Sequence, residues 1–295
     1  MKNTRAVVYT KGRLGNQLFQ YFFGYKLLKE GKLGKLLINN TKGDKPLYIT
    51  EILDVIIDEK KFRNNLSFFQ KIFFIFHKKR IVSNDSLPYL YKISRHGFVC
   101  YNGYEDIDFN KIKIKTKNAI ICGFFENHNH YDSIRNSVVS NFLLSPNSSN
   151  DYFLLLKKTE DNNSVCISVR RGDFLERDDL NICGFEYFSR AIEIMKKTVL
   201  NPCFIVFSDD IEWCKKQDIF KGFLFENVGN TLSNKLFVMS KCSNFILSNS
   251  TFSFWSCFLA DVFDGKKGVV ISPASWSKLE KKTKLIYEDW ITIDL

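Results

Sequence analysis

The sequence lacks several patterns that mark whole classes of protein. It has no apolar stretch near 20 residues, so it predicts no transmembrane helix. The N-terminus, Met1 to Tyr9, holds two basic residues and a short apolar run, which does not match a signal peptide. Neither a GxGxxG sequence nor a P-loop occurs, which counts against dinucleotide-binding and ATP-binding proteins. No recognisable nucleic-acid-binding module is present either.

The sequence also lacks any CxxC pair. Its eight cysteines are scattered and lie mostly within apolar runs, as at Cys122, Cys166, Cys203, Cys242 and Cys257. This distribution predicts buried, reduced thiols rather than disulfides or zinc ligands. With no signal peptide in view, we expect a cytoplasmic protein, and peripheral contact with the inner face of a membrane stays open as an alternative.

The composition is that of a globular protein with an excess of positive charge. The chain has 295 residues, of which 45% are hydrophobic, and this length suits two domains with packed cores. The formal net charge of +11 indicates an anionic partner. Nucleic acid, membrane lipid and a nucleotide diphosphate all meet that condition, so the charge does not choose among them.

The second half of the chain alternates between apolar strands and amphipathic helices, which predicts a doubly wound parallel sheet. The apolar residues in the strands are continuous, so both faces of this sheet should be buried. The predicted strands are Ser164–Val169, Cys203–Phe207, Gly222–Phe225, Phe245–Leu247 and Gly268–Ile271, and the predicted helices are Phe185–Val199, Ile211–Lys216, Thr231–Cys242 and Phe252–Phe263.

The first half begins with the same alternation. A strand over Arg5–Thr10 leads through a glycine-containing turn into a helix over Gln17–Lys29, and further strands are predicted at Leu36–Ile38 and Ala119–Phe124. Turn-rich stretches between residues 145 and 163 predict a domain boundary there. We therefore divide the chain into an N-terminal domain, 1–155, and a C-terminal domain, 156–295.

Three polar clusters follow strands of the predicted C-terminal sheet. They are Arg170–Asp173, Ser208–Asp210 and Ser248–Thr251. Ligands of open parallel sheets bind outside the carboxyl ends of the strands, so these clusters should converge in one site. Arginine binds phosphate with a bidentate fork and stays charged, so the first cluster suits a diphosphate.

The other clusters have more than one interpretation. The carboxylates of Asp209 and Asp210 could bind a guanine edge or ribose hydroxyls, hold a metal, or cap the next helix. Ser250 or Thr251 could cap a helix whose free N–H groups also seat a phosphate. A further loop, Gly12 to Gln17, lies between a strand and a helix, where glycines allow close backbone approach and polar side chains supply donors.

A basic segment at residues 60–80 has two interpretations. Its apolar residues follow helical spacing, and they are Phe62, Leu66, Phe69, Phe73 and Phe76; its basic residues are Lys60, Lys61, Arg63, Lys71, Lys78, Lys79 and Arg80. Such a helix can lie on an anionic membrane surface. A helix that packs its apolar face against the core is the more frequent structure, and we favour it at this point.

Four motifs, in order along the chain, resemble those of glycosyltransferase family 11, the α-1,2-fucosyltransferases. Gly12 to Tyr21 reads GRLGNQLFQY, and Ser168 to Phe174 reads SVRRGDF. A Ser-Asp-Asp segment follows as FSDDIEW, and Asn249 to Trp255 reads NSTFSFW. Lesser matches are Gly123–Glu126 and Ile271–Trp276. The resemblance runs from residue 12 to about residue 276.

The resemblance implies a GT-B-like fold, in which two Rossmann-like domains face each other across a cleft, with the acceptor on the N-terminal side. It also implies an inverting transfer of L-fucose from GDP-β-L-fucose to the 2-hydroxyl of a galactose in a surface glycan, within O-antigen or lipopolysaccharide biosynthesis. No obligatory metal or other cofactor is implied. The partners are then GDP-fucose and a galactose-containing glycan, and not nucleic acid.

Residue by residue, the resemblance implies two catalytic residues, Arg170 on the β-phosphate of the leaving GDP and Asp173 in the same loop. Asp209 would contact guanine, and residues 250–252 would hold the diphosphate. Candidates for the base are Asp173 and Glu126. The full donor-binding set is Gly12, Arg13, Gly15, Asn16, Arg171, Asp209, Asn249, Ser250, Thr251 and Phe252.

The chain departs from the family pattern at two positions. Ser168 stands where many members have His, which weakens a guanine contact by that side chain. Phe254 replaces the first Trp of the final pair, which we interpret as a change of packing. Three alternatives stay open: a transferase for another nucleotide sugar or acceptor hydroxyl, a basic nucleic-acid-binding protein, and an inactive carbohydrate- or nucleotide-binding relative.

Overall fold

The structure is a computed structural model that describes residues 3–39, 45–58, 66–73, 75, 86–142, 150–160, 163–226, 231–263, 268–279 and 283–295. The chain forms two compact units, Met1–Phe142 and Leu143–Leu295. Each unit is built around its own parallel sheet, as the alternating pattern of the sequence predicts.

The N-terminal unit contains a five-stranded sheet in the order β3-β2-β1-β5-β4, and every pairing in it is parallel. The strands are β1 Arg5–Tyr9, β2 Lys35–Asn39, β3 Ile57–Asp58, β4 Phe98–Tyr101 and β5 Asn118–Gly123, and the helices with complete bounds are α1 Leu14–Lys29, α2 Leu87–Ser94 and α3 Arg135–Val139. The three strands and the first helix predicted here are confirmed. The sequence missed β3 and β4, which are recognisable as strands by their parallel pairing with β2 and β5.

The C-terminal unit contains a six-stranded parallel sheet in the order β11-β10-β9-β6-β7-β8. The strands are β6 Ser164–Val169, β7 Cys203–Ser208, β8 Leu224–Phe225, β9 Asn244–Ile246, β10 Val270–Pro273 and β11 Ile291–Ile293; the helices are α4 Asn150–Thr159, α5 Phe185–Thr198, α6 Ile211–Lys215, α7 Leu232–Met239 and α8 Thr251–Phe263. All five predicted strands are confirmed, and β11 is an additional edge strand. Every residue of β6 is buried, as its continuous apolar sequence predicts.

Both sheets reverse their strand order next to the first strand. In the C-terminal unit β7 and β8 lie on one side of β6, and β9 to β11 lie on the other. In the N-terminal unit β2 and β3 lie on one side of β1, and β5 and β4 lie on the other. Such reversals create the crevice in which α/β sheets bind ligands. The fold therefore predicts that ligands bind at the loops after β6 and β9 in the C-terminal unit and at the loops after β1 and β5 in the N-terminal unit.

The boundary between the units differs from the predicted one. The sequence placed it at 155/156, within the turn-rich region, whereas the compact units divide between Phe142 and Leu143. The predicted boundary falls inside α4, which packs against β6 and α7 of the C-terminal unit. The helix belongs to the C-terminal unit because β6 and α7, against which it packs, belong to that unit. The turn-forming residues on either side of α4 do not indicate which unit it packs against.

The prediction that all the cysteines are reduced is wrong for one pair. Cys100 in β4 and Cys122 in β5 occupy paired positions of the sheet, with their Cα atoms 4.6 Å apart, and they form a disulfide. Sequence spacing could not reveal this pair because strand register determines which cysteines meet. The other six cysteines are free thiols, and four of them are buried.

The basic segment is described in part, since residues 60–63, 76 and 78–80 lie outside the described residues. Residues 68–73 and 75 are helical. Leu66 and Phe73 pack against a core cluster of the N-terminal unit, as the favoured interpretation predicts. Phe69 does not, because it is 80% exposed.

Candidate functional site

The loop after β6 holds Arg170 between two carboxylates. Its two terminal nitrogens donate to Asp209, at the end of β7, and to Asp173, three residues further along the same loop. The guanidinium also lies 5.1 Å from the centre of the Phe174 ring. Because three groups from the loop and the neighbouring strand hold this guanidinium, its orientation is largely set before any ligand arrives.

Arg171 is held by a second set of contacts from the same neighbouring strand and helix. Its Nε donates to Asp210 at 3.1 Å, and its backbone N–H donates to Asp209 at 2.9 Å. Its guanidinium carbon lies 3.6 Å from the centre of the Trp213 ring, a close cation–π contact. Sequence reasoning assigned no role to Trp213, although it lies in the quoted FSDDIEW motif.

Gly172 allows the two loops to approach each other. A Cβ atom at this position would lie 2.4 Å from Oδ2 of Asp209, closer than real contacts allow. The glycine in the Arg-Arg-Gly-Asp sequence is therefore needed because the carboxylate that orients both arginines occupies the space of a side chain. This contact joins the first and second polar clusters, which the sequence predicted would converge.

The ion pairs of the two arginines with carboxylates limit how this cluster can bind a phosphate. Two guanidinium groups face three carboxylates, those of Asp173, Asp209 and Asp210. A phosphate that binds Arg170 must therefore approach its open side or displace a carboxylate. Asp173 is 42% exposed and Asp209 is 23% exposed, so Asp173 is the partner that a ligand can displace more readily.

Asp210 has a structural task besides its contact with Arg171. Its Oδ1 accepts from the backbone N–H of Trp213 at 3.3 Å and caps α6, as one interpretation of the sequence predicts. Its own backbone N–H donates to the Ser208 hydroxyl at 2.9 Å. The predicted guanine contact of Asp209 stays a prediction, and the structure adds to it the orientation of both arginines.

The third cluster follows β9, the strand beside β6. Ser250 immediately precedes α8, and its carbonyl accepts from the N–H of Phe254 at 3.0 Å in the first turn. Thr251 and Phe252 are partly exposed at the start of this helix. The N-terminus of α8 is thus at the crevice between β6 and β9, where a helix end favours an anion.

The side chain of Asn249 forms hydrogen bonds within the protein. Its side-chain amide donates to the carbonyls of Leu180 and Trp276 at 2.9 and 2.8 Å, and its Oδ1 accepts from the Cys183 thiol at 3.5 Å. It is 5% exposed. It therefore positions the loop that precedes α8 by tying it to two other segments, and its predicted donor contact stays a prediction.

Three serines occupy the region around the position where family members carry His. The hydroxyl of Ser168, at the end of β6, lies 2.6 Å from that of Ser253 in α8, which lies 3.3 Å from that of Ser248. All three residues are buried. This packing fits α8 closely against β6, and none of the three serines has a side chain long enough to reach a guanine base. Phe254, the other departure, is fully buried and stacks on Tyr287, as a packing role predicts.

A lysine of α7 supports the Ser208–Asp210 loop, and sequence reasoning missed it. The Lys235 ammonium donates to the Ser208 carbonyl at 2.9 Å and forms an ion pair with Glu226. Glu226 is 7% exposed and Lys235 is 19% exposed. The signal was available, because Lys235 is a charged residue between the apolar positions of a short helix.

In the N-terminal unit, the loop after β1 is held by buried amides of α1. Gln17 donates to the Gly12 carbonyl at 3.0 Å and to the Pro46 carbonyl at 2.8 Å, and Gln20 accepts from the N–H of Lys11 at 2.9 Å. Gly12 has a φ of +71°, and a Cβ there would lie 2.6 Å from the Asn16 amide. Gln17 is thus committed to the loop itself and is not a donor for a ligand.

The remaining predicted residues of this unit lie at the same end of its sheet. Arg13 is exposed and precedes α1, while Gly15 is buried in the first turn. Glu126 follows β5, the neighbour of β1, and is partly exposed. Phe125 before it has a φ of +55° and stacks on Phe23 at 3.8 Å. The strand order therefore brings the Gly12–Asn16 loop and Glu126 to one switch point.

The thiols near the C-terminal site are not poised as nucleophiles. Burial raises the pKa of Cys183, which contacts Asn249, to about 12, and it raises the pKa of Cys214 in α6 to about 11. Both sulfurs are thus protonated at neutral pH. A nucleophilic cysteine has to be a thiolate, so neither of them is suited to that role. The arginines, carboxylates and backbone donors are therefore the groups at this site that could take part in chemistry.

The described residues hold neither a candidate metal cluster nor a helix that could span a membrane. In the part of the chain that the structure describes, no three His, Cys, Asp or Glu side chains are grouped so that they could hold a metal ion. Among those same residues, no helix has both the length and the apolar character required to cross a membrane.

Comparison with known proteins gives full-length relatives. The chain is 27% identical to the O-antigen biosynthesis glycosyltransferase WbnK of Escherichia coli, over 96% of this chain and 98% of that protein. It is 27% identical to an alpha-1,2-colitosyltransferase of Escherichia coli, over 96% and 97%. A galactoside alpha-(1,2)-fucosyltransferase 1 of Bos taurus is 31% identical over 104 residues, which cover 32% of this chain and 29% of that protein.

A solved structure shares the fold. The alpha-1,6-fucosyltransferase NodZ, from Bradyrhizobium, superposes with a TM-score of 0.53 over 87% of this chain and 92% of that chain, at 10% identity, in a crystal soaked with GDP-fucose. This likeness and the two parallel α/β units confirm the predicted GT-B-like class with two Rossmann-like domains. The model of glycosyl transferase family 11 matches residues 5–294, so the chain belongs to that family and is a glycosyltransferase.

Proposed function

We propose that this chain is a galactoside α-1,2-fucosyltransferase, which moves L-fucose with inversion from GDP-β-L-fucose to the 2-hydroxyl of a galactose residue in a surface glycan. The observation that carries the proposal is the pair of arginines fixed by Asp209 at the switch point of the C-terminal sheet. The names of the full-length relatives support a role in O-antigen biosynthesis and the 1,2 linkage. The shorter match to galactoside fucosyltransferases supports the acceptor.

In this proposal the diphosphate of the donor binds between Arg170 and the start of α8. Cleavage of the bond between fucose C1 and the phosphate oxygen leaves negative charge on GDP, and preoriented donors stabilise that charge most effectively. Arg170 donates its fork to the β-phosphate, and the N–H groups of Thr251 and Phe252 complete the seat beside Ser250, whose own N–H donates to the Ser248 carbonyl at 2.7 Å. Arg171 and Asp209 hold the loop in place, as their contacts in the free protein already do.

The acceptor hydroxyl must lose its proton as the new bond to fucose C1 forms. A carboxylate can accept that proton. Asp173 becomes available when a phosphate takes its place on Arg170, and Glu126 is the candidate from the N-terminal unit. Arg13 and Asn16, in the loop after β1, are the proposed contacts of that unit with the fucosyl diphosphate. The charge on the leaving group is neutralised by these groups, so the reaction needs no metal.

A second donor has a specific observation in its favour. One of the full-length relatives is an alpha-1,2-colitosyltransferase. Colitose is fucose without its 3-hydroxyl, so both sugars present the same anomeric carbon to an acceptor. The two donors would differ in the polar groups that meet the 3-hydroxyl. A site built to hydrogen-bond that hydroxyl rejects the deoxy sugar strongly, whereas an apolar site distinguishes the two weakly.

A donor panel tests the proposal. Purified protein is incubated with GDP-fucose, GDP-colitose or GDP-mannose and a set of galactose-terminated acceptors, and GDP release and the product linkage by NMR are measured. We expect the highest kcat/KM with GDP-fucose and a product linked to the galactose 2-hydroxyl. A higher kcat/KM with GDP-colitose would assign the second donor. Release from GDP-mannose alone, or a linkage to another hydroxyl, would contradict the proposal.

A further inference from the structure

The helix at residues 68–73 and 75 packs one side against the N-terminal unit and carries apolar residues on the side that faces away from it. Its inner face is fixed on the sheet: Gln70 is buried and donates to the carbonyls of His96 and Asn118 at 3.0 and 2.9 Å. Phe73 stacks on Phe98, with ring centres 5.1 Å apart. These contacts determine which side of the helix faces away from the unit.

The outer face of this helix, which we define as Phe68, Phe69, Ile72 and Ile75, meets solvent. These side chains are 71%, 80%, 37% and 72% exposed. Three of them have the i, i+4, i+7 spacing of one helix face, and the fourth adjoins it. A helix that already buries one apolar face normally presents charged residues on the other. Exposed, contiguous aromatic and aliphatic residues instead indicate a surface that another apolar body covers.

The charge around the outer face identifies its partner. Lys71 is exposed within the helix, and residues 60–80 contain seven lysines and arginines and no aspartate or glutamate. A second copy of the chain would bring the same positive charge to a symmetric interface, where it would be repelled. An anionic bilayer offers both an apolar interior for the phenylalanines and negative headgroups for the basic residues.

We propose that the outer face docks this protein on an anionic lipid bilayer as a peripheral contact. Phe68 and Phe69 enter the boundary between headgroups and acyl chains, while Lys71 binds a phosphate group of the lipids. The surface belongs to the N-terminal unit alone, and the proposal is independent of the sugar donor.

Vesicle sedimentation tests this proposal. The full chain is mixed with phosphatidylcholine vesicles that contain or lack phosphatidylglycerol, and the bound fraction is measured at low and high salt. We expect binding to the anionic vesicles, little binding to the neutral ones, and a decrease with salt. The double variant Phe68→Ser/Phe69→Ser should bind at least tenfold more weakly, and Lys71→Gln should weaken binding to a smaller extent.

A matched control removes exposed apolar residues elsewhere. Leu200 and Leu279 are 85% and 81% exposed in the C-terminal unit, and Leu200→Ser/Leu279→Ser should bind vesicles as the parent does. Thermal unfolding and GDP release on a soluble acceptor verify that each variant is folded. Equal binding by the two double variants, or no binding of the parent to anionic vesicles, overturns the proposal. A dimer in light scattering that Phe68→Ser/Phe69→Ser abolishes, without vesicle binding, would assign the outer face to a second copy instead.

Discussion

Arg170 shows how much of the site depends on the shape of one side chain. Two carboxylates and an aromatic ring hold its planar fork. Lysine would keep the charge but could not span both carboxylates and a phosphate. We expect Arg170→Lys to lower kcat by roughly a hundredfold or more, the size of effect seen when a transition-state donor is lost. Steady-state kinetics with the sugar nucleotide measure this.

The matched control for this variant is Arg95→Lys, at an exposed arginine that follows α2 in the N-terminal unit. Both variants should unfold at the temperature of the parent, since neither site lies in a core. Near-normal turnover in Arg170→Lys would remove this residue from the catalytic role we assign to it.

His130 makes the stability of the N-terminal unit depend on pH. Burial, followed by the nearby Lys26 charge, lowers the pKa of His130 from 6.5 to about 4. Its Nε2 accepts from the backbone N–H of Ile107 at 3.4 Å, and its ring packs on Phe23 and Phe109. Below pH 6.5 the unfolded chain binds a proton that the folded chain does not, so stability decreases as the pH falls.

The expected loss attributable to His130 is about 2 kcal/mol between pH 7 and pH 5, with little change above pH 7. His130→Gln, which keeps an acceptor for Ile107, should remove this part of the pH dependence. Urea unfolding at a series of pH values measures it, and His96→Gln, at an exposed histidine, serves as the control. If the pH dependence of stability were unchanged in His130→Gln, the pKa of His130 would have to be the same in the folded and unfolded chain.

At the scale of elements, the loop after β6 is shaped by its contact with the end of β7. In Gly172→Ala the new Cβ would lie 2.4 Å from Asp209, so the loop must move away from the carboxylate that orients both arginines. We expect KM for the donor to rise and kcat to fall, about tenfold in kcat/KM, which corresponds to about 1.4 kcal/mol. Donor titrations at saturating acceptor measure both constants.

Gly184→Ala is a suitable control, because nothing lies within 4 Å of a Cβ at Gly184, the residue before α5. It should leave both kinetic constants unchanged. If Gly172→Ala behaves like Gly184→Ala, the contact between the two loops is not required for donor binding.

Elements with a local pattern, including strands as short as β8 and β9, could be predicted from the sequence, and elements without one could not. β6 and α5 have the predicted starts because a continuous apolar run and a helical repeat each define an element locally. β4 and β11 are recognisable as strands only beside β5 and β10, which supply their partners. The Cys100–Cys122 disulfide depends on the same pairing, so it too was beyond a local pattern.

The candidate site divides along a similar line. Convergence of Arg170–Asp173 with Ser208–Asp210 followed from the rule that parallel strands end at one edge, and the contacts confirm it. The tasks of individual side chains did not follow. The donor contact of Asn249 stays a prediction, and the structure adds a task that the sequence did not show, since its amide donates to the carbonyls of Leu180 and Trp276, which are distant in sequence. Lys235 could have been singled out as a charged residue between apolar positions of α7, but its partners Ser208 and Glu226 could not, since they come from other elements.

At the scale of the whole molecule, the proposed reaction requires the protein to stabilise the negative charge on the leaving group. In the proposed reaction the diphosphate leaves with added negative charge, and the chain carries an excess of positive charge, +11 in total, that attracts it. Attraction at long range does not stabilise a transition state, however, because that requires donors fixed at the leaving oxygen. Two arginines with three carboxylates around them, together with the start of α8, are the groups available at the C-terminal switch point.

This arrangement leads to a prediction about metals. A hard cation needs several oxygen ligands, and Asp209 and Asp210 are already engaged by arginine side chains. We therefore expect full activity with GDP-fucose in excess EDTA, and no gain on addition of magnesium or manganese. The control is a metal-dependent transferase assayed in the same buffers. Complete loss of activity in EDTA that manganese restores would require the two carboxylates to release their arginines and bind the metal, and Asp209→Asn and Asp210→Asn would then weaken that metal binding.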